Sequence, residues 1–261
     1  SDAKHVEGNS RLEVIWTIIP LLTVLFLSYI GGKNLAETVQ AAANPLEINV
    51  IGQQWSWRFE YPQYGVSSTE LVMPVDEQAL LHLSSNDVIH SFWVPEFRVK
   101  QDVLPGGAQF VRNLRITPTE QGQFLLMCSE MCGLQHAYMN ATVRVLPQAE
   151  FDTWLAQQAE SANADPVTRG KQLAQQFGCQ ACHSLDGSTL VGPTWKGLYE
   201  HETPLADGTT VVADEAYLHE SIVDPGAKIV AGFPNVMPAT YGEQLSDEQI
   251  ADIIAFIESL K

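Results

Sequence analysis

The sequence predicts a chain of three structural parts: a membrane-spanning helix, then a β-sandwich, then a small helical domain. An uncharged apolar run near the N-terminus predicts the membrane helix. Short segments of alternating apolar and polar residues, separated by Pro and Gly, predict the sandwich. Helical apolar spacing in the final third predicts the last part. At 261 residues, the chain is long enough for two soluble domains beside the helix.

The predicted membrane helix covers residues 14–32, nineteen residues without a charged side chain. A hydrocarbon core ~30 Å thick needs about 20 helical residues, so this run is just long enough. Apolar side chains occur all around the helix, which leaves no polar face for a surface helix, and Pro20 is tolerated in membrane helices. A signal peptide is the alternative, but no small-residue cleavage pattern follows. Residues 1–13 are predicted to be a polar loop and residues 33–45 a connector.

The predicted β-sandwich covers residues 46–156. Two alternating segments, 46–50 and 55–61, begin it, and Gly52 between them is expected to form a bulge or a bend. Pro and Gly residues separate the later segments, as is typical of a sandwich or a barrel. The other predicted strands cover residues 79–83, 109–116, 123–127 and 142–146.

A small, polar stretch that ends in a proline, residues 157–166, is predicted to be a linker. Residues 167–261 then form the predicted helical domain. Ser246 is expected to cap its last helix, with Gln249 at the capping-box position. The helix that follows is expected to bury a stripe of isoleucines at helical spacing: Ile250, Ile253, Ile254 and Ile257.

The segment from Cys128 to Met139 is the first that predicts chemistry. It holds two thiols, a carboxylate, an imidazole and two thioethers within twelve residues. Thiolate and thioether favour copper, whereas imidazole suits copper and zinc alike. A single-copper blue site needs one Cys, so two Cys with His and Met indicate two coppers bridged by both sulfurs, and His90 is a candidate second imidazole. The alternatives are a zinc knuckle, which has little use for a thioether, and a disulfide.

The second chemical motif is Cys179-Gln180-Ala181-Cys182-His183, the C-x-x-C-H signature of covalent c-type haem attachment. The two cysteines would form thioether bonds to the porphyrin, and His183 would ligate the iron on the proximal side. A thioredoxin-like redox pair is the alternative, but it requires a βαβ context that is absent from the sequence around the motif.

The sixth iron ligand must come from elsewhere in the chain. Met237 is the only methionine after position 139, and it stands in a loop flanked by prolines. Met/His ligation raises the potential of a cytochrome c. His201 and His219 are the competing candidates.

The C-x-E-x-C-x3-H-x2-M pattern, after a distant His, closely resembles the CuA centre of cytochrome c oxidase subunit II. This resemblance covers residues 9–155 and implies a cupredoxin-like β-sandwich. Residues 167–261 resemble a class I cytochrome c, a small all-α domain, through C-x-x-C-H and the loop at 191–198. The implied CuA ligands are His90, Cys128, the backbone carbonyl of Glu130, Cys132, His136 and Met139.

The resemblance implies roles for three further side chains. Trp55 corresponds to the tryptophan through which electrons enter beside copper, although an ordinary core aromatic is the alternative. Glu13 corresponds to a carboxylate at the mouth of a proton channel into subunit I, with a mere interfacial charge as the alternative. The Glu130 side chain corresponds to a ligand of an interfacial magnesium ion, or it only hydrogen-bonds its loop. Residues 9–20 resemble the start of the second of two membrane helices, which implies that a first helix is missing from this sequence.

The resemblance implies that electrons enter a haem-copper respiratory terminal oxidase through this subunit. Haem c accepts an electron and passes it to a binuclear CuA centre and then to the haem of subunit I. Oxygen is reduced there to water, coupled to proton translocation, so the enzyme is a cytochrome-c oxidase and no residue of this chain performs the oxygen chemistry. The alternatives are a subunit of a CuA-dependent nitric oxide reductase and a membrane-tethered electron shuttle.

The implied partners are subunit I, further membrane subunits, and a cytochrome c or a quinol:acceptor respiratory complex as the electron donor. The implied location is the bacterial inner (plasma) membrane, with the copper and haem domains on the periplasmic side, where haem is attached. The chain has 31 Asp+Glu against 14 Lys+Arg, a net charge of −17. This excess repels nucleic acid and can steer a basic donor, or it serves solubility alone. Asp87, Glu96 and Asp102 are expected to be ordinary surface acids.

Overall fold

The computed structural model describes residues 8–161 and 163–261 and divides into two compact units, Ser1–Asn44 and Pro45–Lys261. The first unit contains helix α1 (Ser10–Val39), whose 30 residues span about 45 Å at ~1.5 Å per residue. Asn9 caps the helix, because its side chain accepts hydrogen bonds from the backbone N–H groups of Arg11 and Leu12. The most apolar window of α1 has a mean hydropathy of 2.1, enough to cross a membrane.

Helix α1 is longer than the predicted span at both ends. Residues 10–13, predicted as loop, and residues 33–39, predicted as connector, are helical. Hydropathy locates only the apolar part of a helix, whereas the cap at Asn9 and an i,i+4 ion pair between Lys33 and Glu37 (3.7 Å) favour its polar ends. The first seven residues of the predicted polar loop lie outside the described residues.

The second unit begins with a β-sandwich. Its ten described strands are β1 (Leu46–Gln53), β2 (Ser56–Tyr61), β3 (Val66–Ser68), β4 (Leu71–Pro74), β5 (Ala79–Ser85), β6 (His90–Val94), β7 (Val99–Val103), β8 (Arg112–Ile116), β9 (Gly122–Cys128) and β10 (Asn140–Leu146). They form two five-stranded sheets, with the orders β3-β2-β1-β5-β8 and β4-β10-β9-β6-β7. Alternate residues of each sheet point inward, and Phe59, Leu81 and Leu126 are fully buried in the core between them.

The sequence predicts the long alternating strands of the sandwich and β8, and it misses four short ones. Strands β3, β4, β6 and β7 have only three to five residues, and three of them lie at sheet edges. Residues 109–111 were predicted as strand, but the chain makes a 3-10 turn at Ala108–Phe110 and β8 begins at Arg112. A period of two is poorly defined over such short segments, so it does not locate them.

Gly52 forms no bulge, contrary to the prediction. It pairs regularly with Trp57 on β2 and with Ser85 on β5. A Cβ at this position would lie 3.1 Å from His90 Cδ2 and 3.2 Å from Trp57 Cζ3. The absent side chain therefore makes room for the His90 imidazole.

Helix α2 (Gln148–Ser161) packs against the sandwich through Phe151, Trp154 and Leu155. Trp154 meets the ring of Tyr61 edge to face at 5.1 Å between centroids. The linker predicted at 157–166 is therefore wrong over residues 157–161, which continue this helix. Ala and Gln are good helix formers, so a small and polar composition does not by itself end a helix.

The helical domain contains α3 (Pro166–Gln176), α4 (Glu215–Val223), α5 (Tyr241–Gln244) and α6 (Asp247–Glu258), with a small hairpin of β11 (Glu202–Pro204) and β12 (Thr210–Val212). The predicted capping box of Ser246 and Gln249 is confirmed at the start of α6. The predicted isoleucine stripe is also confirmed, because its four members are buried. The hairpin adds a short β element that the sequence does not predict.

Helices α3 and α6 cross in close contact at Gly170. A Cβ on Gly170 would lie 1.8 Å from the backbone oxygen of Asp252. Beside this crossing, Arg169 donates two hydrogen bonds to the Asp252 carboxylate, from Nε over 2.7 Å and from Nη2 over 2.6 Å. The helices can approach this closely only because residue 170 has no side chain.

Candidate functional site

The segment from Cys128 to Met139 forms a closed loop at one end of the second sheet. Strand β9 ends at Cys128 and pairs with β6, in which Phe92 lies opposite Cys128. The Cys128 N–H donates to the Met139 carbonyl over 3.0 Å, so the first and last residues of the loop meet. Ser129 N–H donates to the Ser91 carbonyl, also over 3.0 Å, which holds the loop beside the first residue of β6, His90.

All six predicted copper ligands lie in one cluster of short contacts. The two thiol sulfurs, Cys128 Sγ and Cys132 Sγ, are 3.7 Å apart at its centre. Around them lie His90 Nδ1, 3.9 Å from Cys128 Sγ, and His136 Nδ1, 3.5 Å from Cys132 Sγ. The cluster is completed by Met139 Sδ, 3.7 Å from Cys132 Sγ, and by the Glu130 carbonyl oxygen, 3.3 Å from Cys128 Sγ.

The two cysteines are free thiols, and their separation is far from the ~2.05 Å of a disulfide. Their arrangement fits a soft metal that both sulfurs bridge. His90, Cys128 and Cys132 already offer three ligand atoms within 4.8 Å of one another, and all three residues are buried. The thioether of Met139, which is also fully buried, favours copper over zinc as the occupant.

Asp87 orients His90 toward this cluster. Its Oδ1 lies 2.8 Å from His90 Nε2, which leaves Nδ1 facing Cys128. Burial alone would raise the pKa of Asp87, but the hydrogen bonds with His90 and with the backbone N–H groups of Gln54 and Val88 together outweigh it and lower that pKa. Burial alone would lower the pKa of His90, but its hydrogen bonds with Asp87 and Cys128 and the charges of those two groups together raise it. The prediction of Asp87 as a surface acid is therefore wrong: the Asp87 side chain is 13% exposed.

The two thiols differ in acidity. Burial disfavours the Cys128 thiolate, but the hydrogen bond with His90 and backbone contacts overcome this and bring its pKa to about 6. Burial, followed by the nearby charge of Cys128, raises the pKa of Cys132 to about 12. A second thiolate beside the first therefore needs a cation to neutralise it, and a coordinated metal ion would provide that charge.

Gln54 and Trp55 support the loop from the first sheet. Gln54 Nε2 donates to the Cys132 carbonyl over 2.7 Å, and Trp55 Nε1 donates to the same oxygen over 3.0 Å. Trp55 is only 9% exposed, so its indole belongs to the core and also touches the candidate metal loop. Gly133 has a φ of +114°, and a Cβ there would lie 2.9 Å from Gln54 Nε2. The sequence gives no sign of the role of Gln54.

The C-x-x-C-H motif lies at the end of α3, where Phe177 and Gly178 lead into a 3-10 turn at Cys179–Ala181. Gly178 adopts the left-handed conformation, with a φ of +70°, which ends the helix. A large apolar cavity opens beside the turn. Its walls include all four predicted haem residues: Cys179, Cys182, His183 and Met237.

His183 is held ready to act as a ligand. Its Nδ1 lies 2.7 Å from the Pro193 carbonyl, which can only accept, so Nδ1 carries the proton and Nε2 keeps its lone pair. Trp195 stacks on the imidazole at 5.2 Å between centroids. Burial lowers the pKa of His183 and so favours the neutral ring. Gly192 allows this packing, because a Cβ there would lie 2.8 Å from His183 Cε1.

The competing distal candidates do not reach the cavity. Met237 lines it and packs against the core of the helical domain. His201 is exposed and does not line the cavity. His219, 44% exposed in its side chain, faces Asp247 across 3.6 Å. Of the three candidates, the structure brings only Met237 to the cavity that His183 lines.

Polar contacts join the sandwich to the helical domain inside the second unit. Gln53 Nε2 donates to the Phe177 carbonyl over 2.6 Å, and Gln135 Nε2 donates to the Ala181 carbonyl over 2.7 Å. On another part of the interface Gln176 Nε2 donates to the Ser67 carbonyl over 3.3 Å. The guanidinium of Arg58 lies over the Phe177 ring at 4.5 Å. The haem-motif loop is thus in contact with the candidate copper domain.

The two remaining predicted residues are exposed. Glu13 lies in the first turn of α1, where the positive end of the helix dipole stabilises a negatively charged side chain. The Glu130 side chain is exposed, whereas its carbonyl oxygen lies 3.3 Å from Cys128 Sγ. Neither side chain lies in the ligand cluster.

Two family models match the chain. One, described as cytochrome c oxidase subunit II, periplasmic domain, matches residues 66–146, and the other, described as cytochrome c, matches residues 167–261. The cytochrome c oxidase subunit 2 of Alkalihalophilus pseudofirmus is 32% identical over 269 residues, covering 99% of this chain and 75% of that protein. That of Bacillus sp. strain PS3 is 31% identical over 276 residues, covering 99% and 76%.

Among solved structures, the periplasmic domain of subunit II of cytochrome oxidase from Bradyrhizobium japonicum is 29% identical and covers 47% of this chain and 97% of that one, with a TM-score of 0.43.

The fold and the site define a redox subunit with an apolar N-terminal helix, a cupredoxin-like β-sandwich and a helical cytochrome c domain. The chain belongs to the cytochrome c oxidase subunit 2 family. It is a subunit of a haem-copper oxidase complex, in which subunit I is its partner. Its two matched domains imply that it binds copper and haem c.

Proposed function

We propose that electrons enter a terminal oxidase through this chain, which holds haem c in its helical domain and a binuclear copper centre in its sandwich. The observation that carries the proposal is the cluster of six candidate ligand groups, of which two are thiols 3.7 Å apart at its centre, in the same compact unit as the haem cavity. When bound, haem c supplies a one-electron donor and the copper pair a one-electron acceptor, and electrons continue to the haem of subunit I, where oxygen is reduced to water with proton translocation.

The residues of the chain perform the binding and positioning. Cys179 and Cys182 attach the haem, while His183 and Met237 ligate its iron. The six clustered groups at His90, Cys128, Glu130, Cys132, His136 and Met139 hold the copper pair. A fixed ligand set, with His90, both cysteines and Met139 buried, suits electron transfer, because little needs to rearrange when the charge of the site changes. Trp55, hydrogen-bonded to the Cys132 carbonyl, lies where an electron can reach the copper loop.

The donor we propose is a basic cytochrome c or a quinol:acceptor respiratory complex, steered by the net charge of −17. Further membrane subunits complete the complex in the bacterial plasma membrane, with both redox domains on the periplasmic side. Glu13 at the start of α1 is proposed to lie at a proton-channel mouth of subunit I. The exposed carboxylate of Glu130 is proposed to help bind magnesium at the interface with that subunit, since this hard cation prefers oxygen ligands.

The test is electron paramagnetic resonance of the purified subunit, with its copper and haem content measured in the same sample. A binuclear centre that shares one unpaired electron gives a seven-line copper hyperfine pattern, and we expect that pattern together with covalent haem. A four-line pattern from a single copper would contradict the proposal. Assaying the intact complex with oxygen and with nitric oxide then identifies the substrate of the partner subunit.

A further inference from the structure

The hydrogen bond from Gln135 to Ala181 joins the two candidate redox loops. Gln135 immediately precedes His136, a candidate copper ligand, and Ala181 immediately precedes Cys182, a candidate haem attachment residue. The bond is 2.7 Å long and partly buried. This single hydrogen bond therefore links two short covalent paths, one leading from each candidate centre.

The surrounding packing brings the same two loops together. Cys182 packs against the sandwich core, a cluster that also contains Cys128, Cys132 and Met139. Gln54 lines the haem cavity while it donates to the Cys132 carbonyl over 2.7 Å. The side of the haem cavity that carries Cys182 is thus the side that meets the copper loop.

Other amide contacts across the interface do not connect the two loops. Gln53 reaches Phe177, which precedes the haem motif, and Gln176 reaches Ser67 on β3. These contacts hold the domains together, but neither joins a residue next to a candidate copper ligand to a residue next to a candidate haem ligand. All three contacts are amide-to-carbonyl hydrogen bonds, and Gln135 differs from the other two donors because its bond joins residues next to both candidate centres.

The backbone of Gln135 is fixed independently of its side chain. Tyr138 N–H donates to the Gln135 carbonyl over 2.9 Å, and His136 N–H donates to the Gly133 carbonyl over 3.1 Å. Replacing the side chain should therefore leave the copper loop in place. The change would act on the contact with Ala181 alone.

We propose that Gln135 is the positioning residue that holds the haem-motif loop (residues 179–183) against the copper loop (residues 128–139) and completes the electron path between them. This inference rests on the proposed function. The step is the transfer of one electron: the haem iron is oxidised from the ferrous to the ferric state, and the oxidised copper pair is reduced by one electron. No bond is made or broken, and no proton moves.

The test compares Gln135→Leu with Gln176→Leu in the purified, cofactor-loaded protein. Both variants remove an amide donor to a carbonyl across the same interface, but only the first removes the contact between the loops. After rapid photoreduction of the haem, we expect the rate of electron transfer to copper to fall by about tenfold in Gln135→Leu, a factor equivalent to ~1.4 kcal/mol. Gln176→Leu should keep the original rate within about twofold, a factor equivalent to ~0.4 kcal/mol, because Gln176 does not join the two loops.

A second readout does not depend on electron transfer. Hydrogen–deuterium exchange of the peptide spanning residues 177–183 should become faster in Gln135→Leu and stay unchanged in Gln176→Leu. Gln135→Lys, which restores an N–H donor of similar reach, should recover most of the transfer rate. The copper and haem spectra should be those of the unmutated protein in all three variants.

Equal transfer rates and equal exchange in Gln135→Leu and the unmutated protein would overturn the inference. An equal loss in both leucine variants would also overturn it, because general loosening of the interface would then explain the effect. Failure of the proposed function is a different result: the unmutated protein itself would lack the binuclear copper spectrum or would show no transfer from haem to copper.

Discussion

Asp87 Oδ1 and His90 Nε2 are 2.8 Å apart, and this contact turns the other imidazole nitrogen, Nδ1, toward Cys128. A carboxylate behind a histidine fixes the ring and increases its basicity as a metal ligand. The same carboxylate accepts from the Gln54 N–H over 2.6 Å. Asp87 therefore connects the candidate copper ligand on β6, His90, with the segment that supports the Cys132 carbonyl.

We expect Asp87→Asn to weaken copper binding by about 10–100-fold, the usual cost of losing such a partner. The measurement is competition for copper against a chelator of known affinity. Asp102→Asn is the matched control, because Asp102 bonds Ser91 Oγ over 2.9 Å and does not contact a candidate ligand. Equal copper affinities in Asp87→Asn and the unmutated protein would show that Asp87 does not act through His90.

Met237→His is expected to lower the midpoint potential of the haem, because a methionine axial ligand raises it relative to histidine. The weak sulfur-to-iron absorption band of the ferric haem should disappear as well. His201→Gln, at an exposed position outside the cavity, should keep both the band and the potential. Absence of the band from the unmutated ferric protein near neutral pH would rule out Met237 as the ligand.

Glu130→Gln should leave the copper spectrum nearly intact, because the backbone carbonyl and not the side chain faces Cys128. In the assembled oxidase it should weaken the binding of manganese, used as a probe of the proposed magnesium site, by about tenfold; the corresponding change is ~1.4 kcal/mol. The control is Glu96→Gln, another exposed acid. If Glu130→Gln changes neither manganese binding nor electron transfer to subunit I, the side chain has only a local role in the loop.

Gly170→Ala should destabilise the helical domain by about 1–3 kcal/mol, because the added Cβ overpacks the crossing of α3 and α6. Helix propensity alone would stabilise the variant by about 0.5–1 kcal/mol, so the sign of the change identifies the packing effect. Denaturant unfolding followed by haem absorbance measures it. Gly226→Ala, whose Cβ would meet its nearest neighbour at 3.7 Å, should be almost neutral. If the free energy of unfolding of Gly170→Ala equals or exceeds that of the unmutated protein, the two helices can move apart at little cost.

The sequence determined the three-part architecture and the chemical identity of the two candidate sites. Soft ligands at fixed spacing, as in Cys128 to Met139 and Cys179 to His183, are local patterns, because each set comes largely from one loop. The same holds for the cap at Ser246 and the isoleucine stripe of α6, which depend on neighbours within a few residues. Such features need no knowledge of the remaining chain.

Only the tertiary structure decided which distant groups complete the sites. It brought Met237, and neither His201 nor His219, to the haem cavity, and it put Asp87 behind His90 instead of in solvent. It also joined Gln135 to Ala181, a pair separated by 46 residues. These contacts are set by the register of strands, the crossing of helices and the packing of two domains, and no periodicity or spacing in the sequence records those long-range relations.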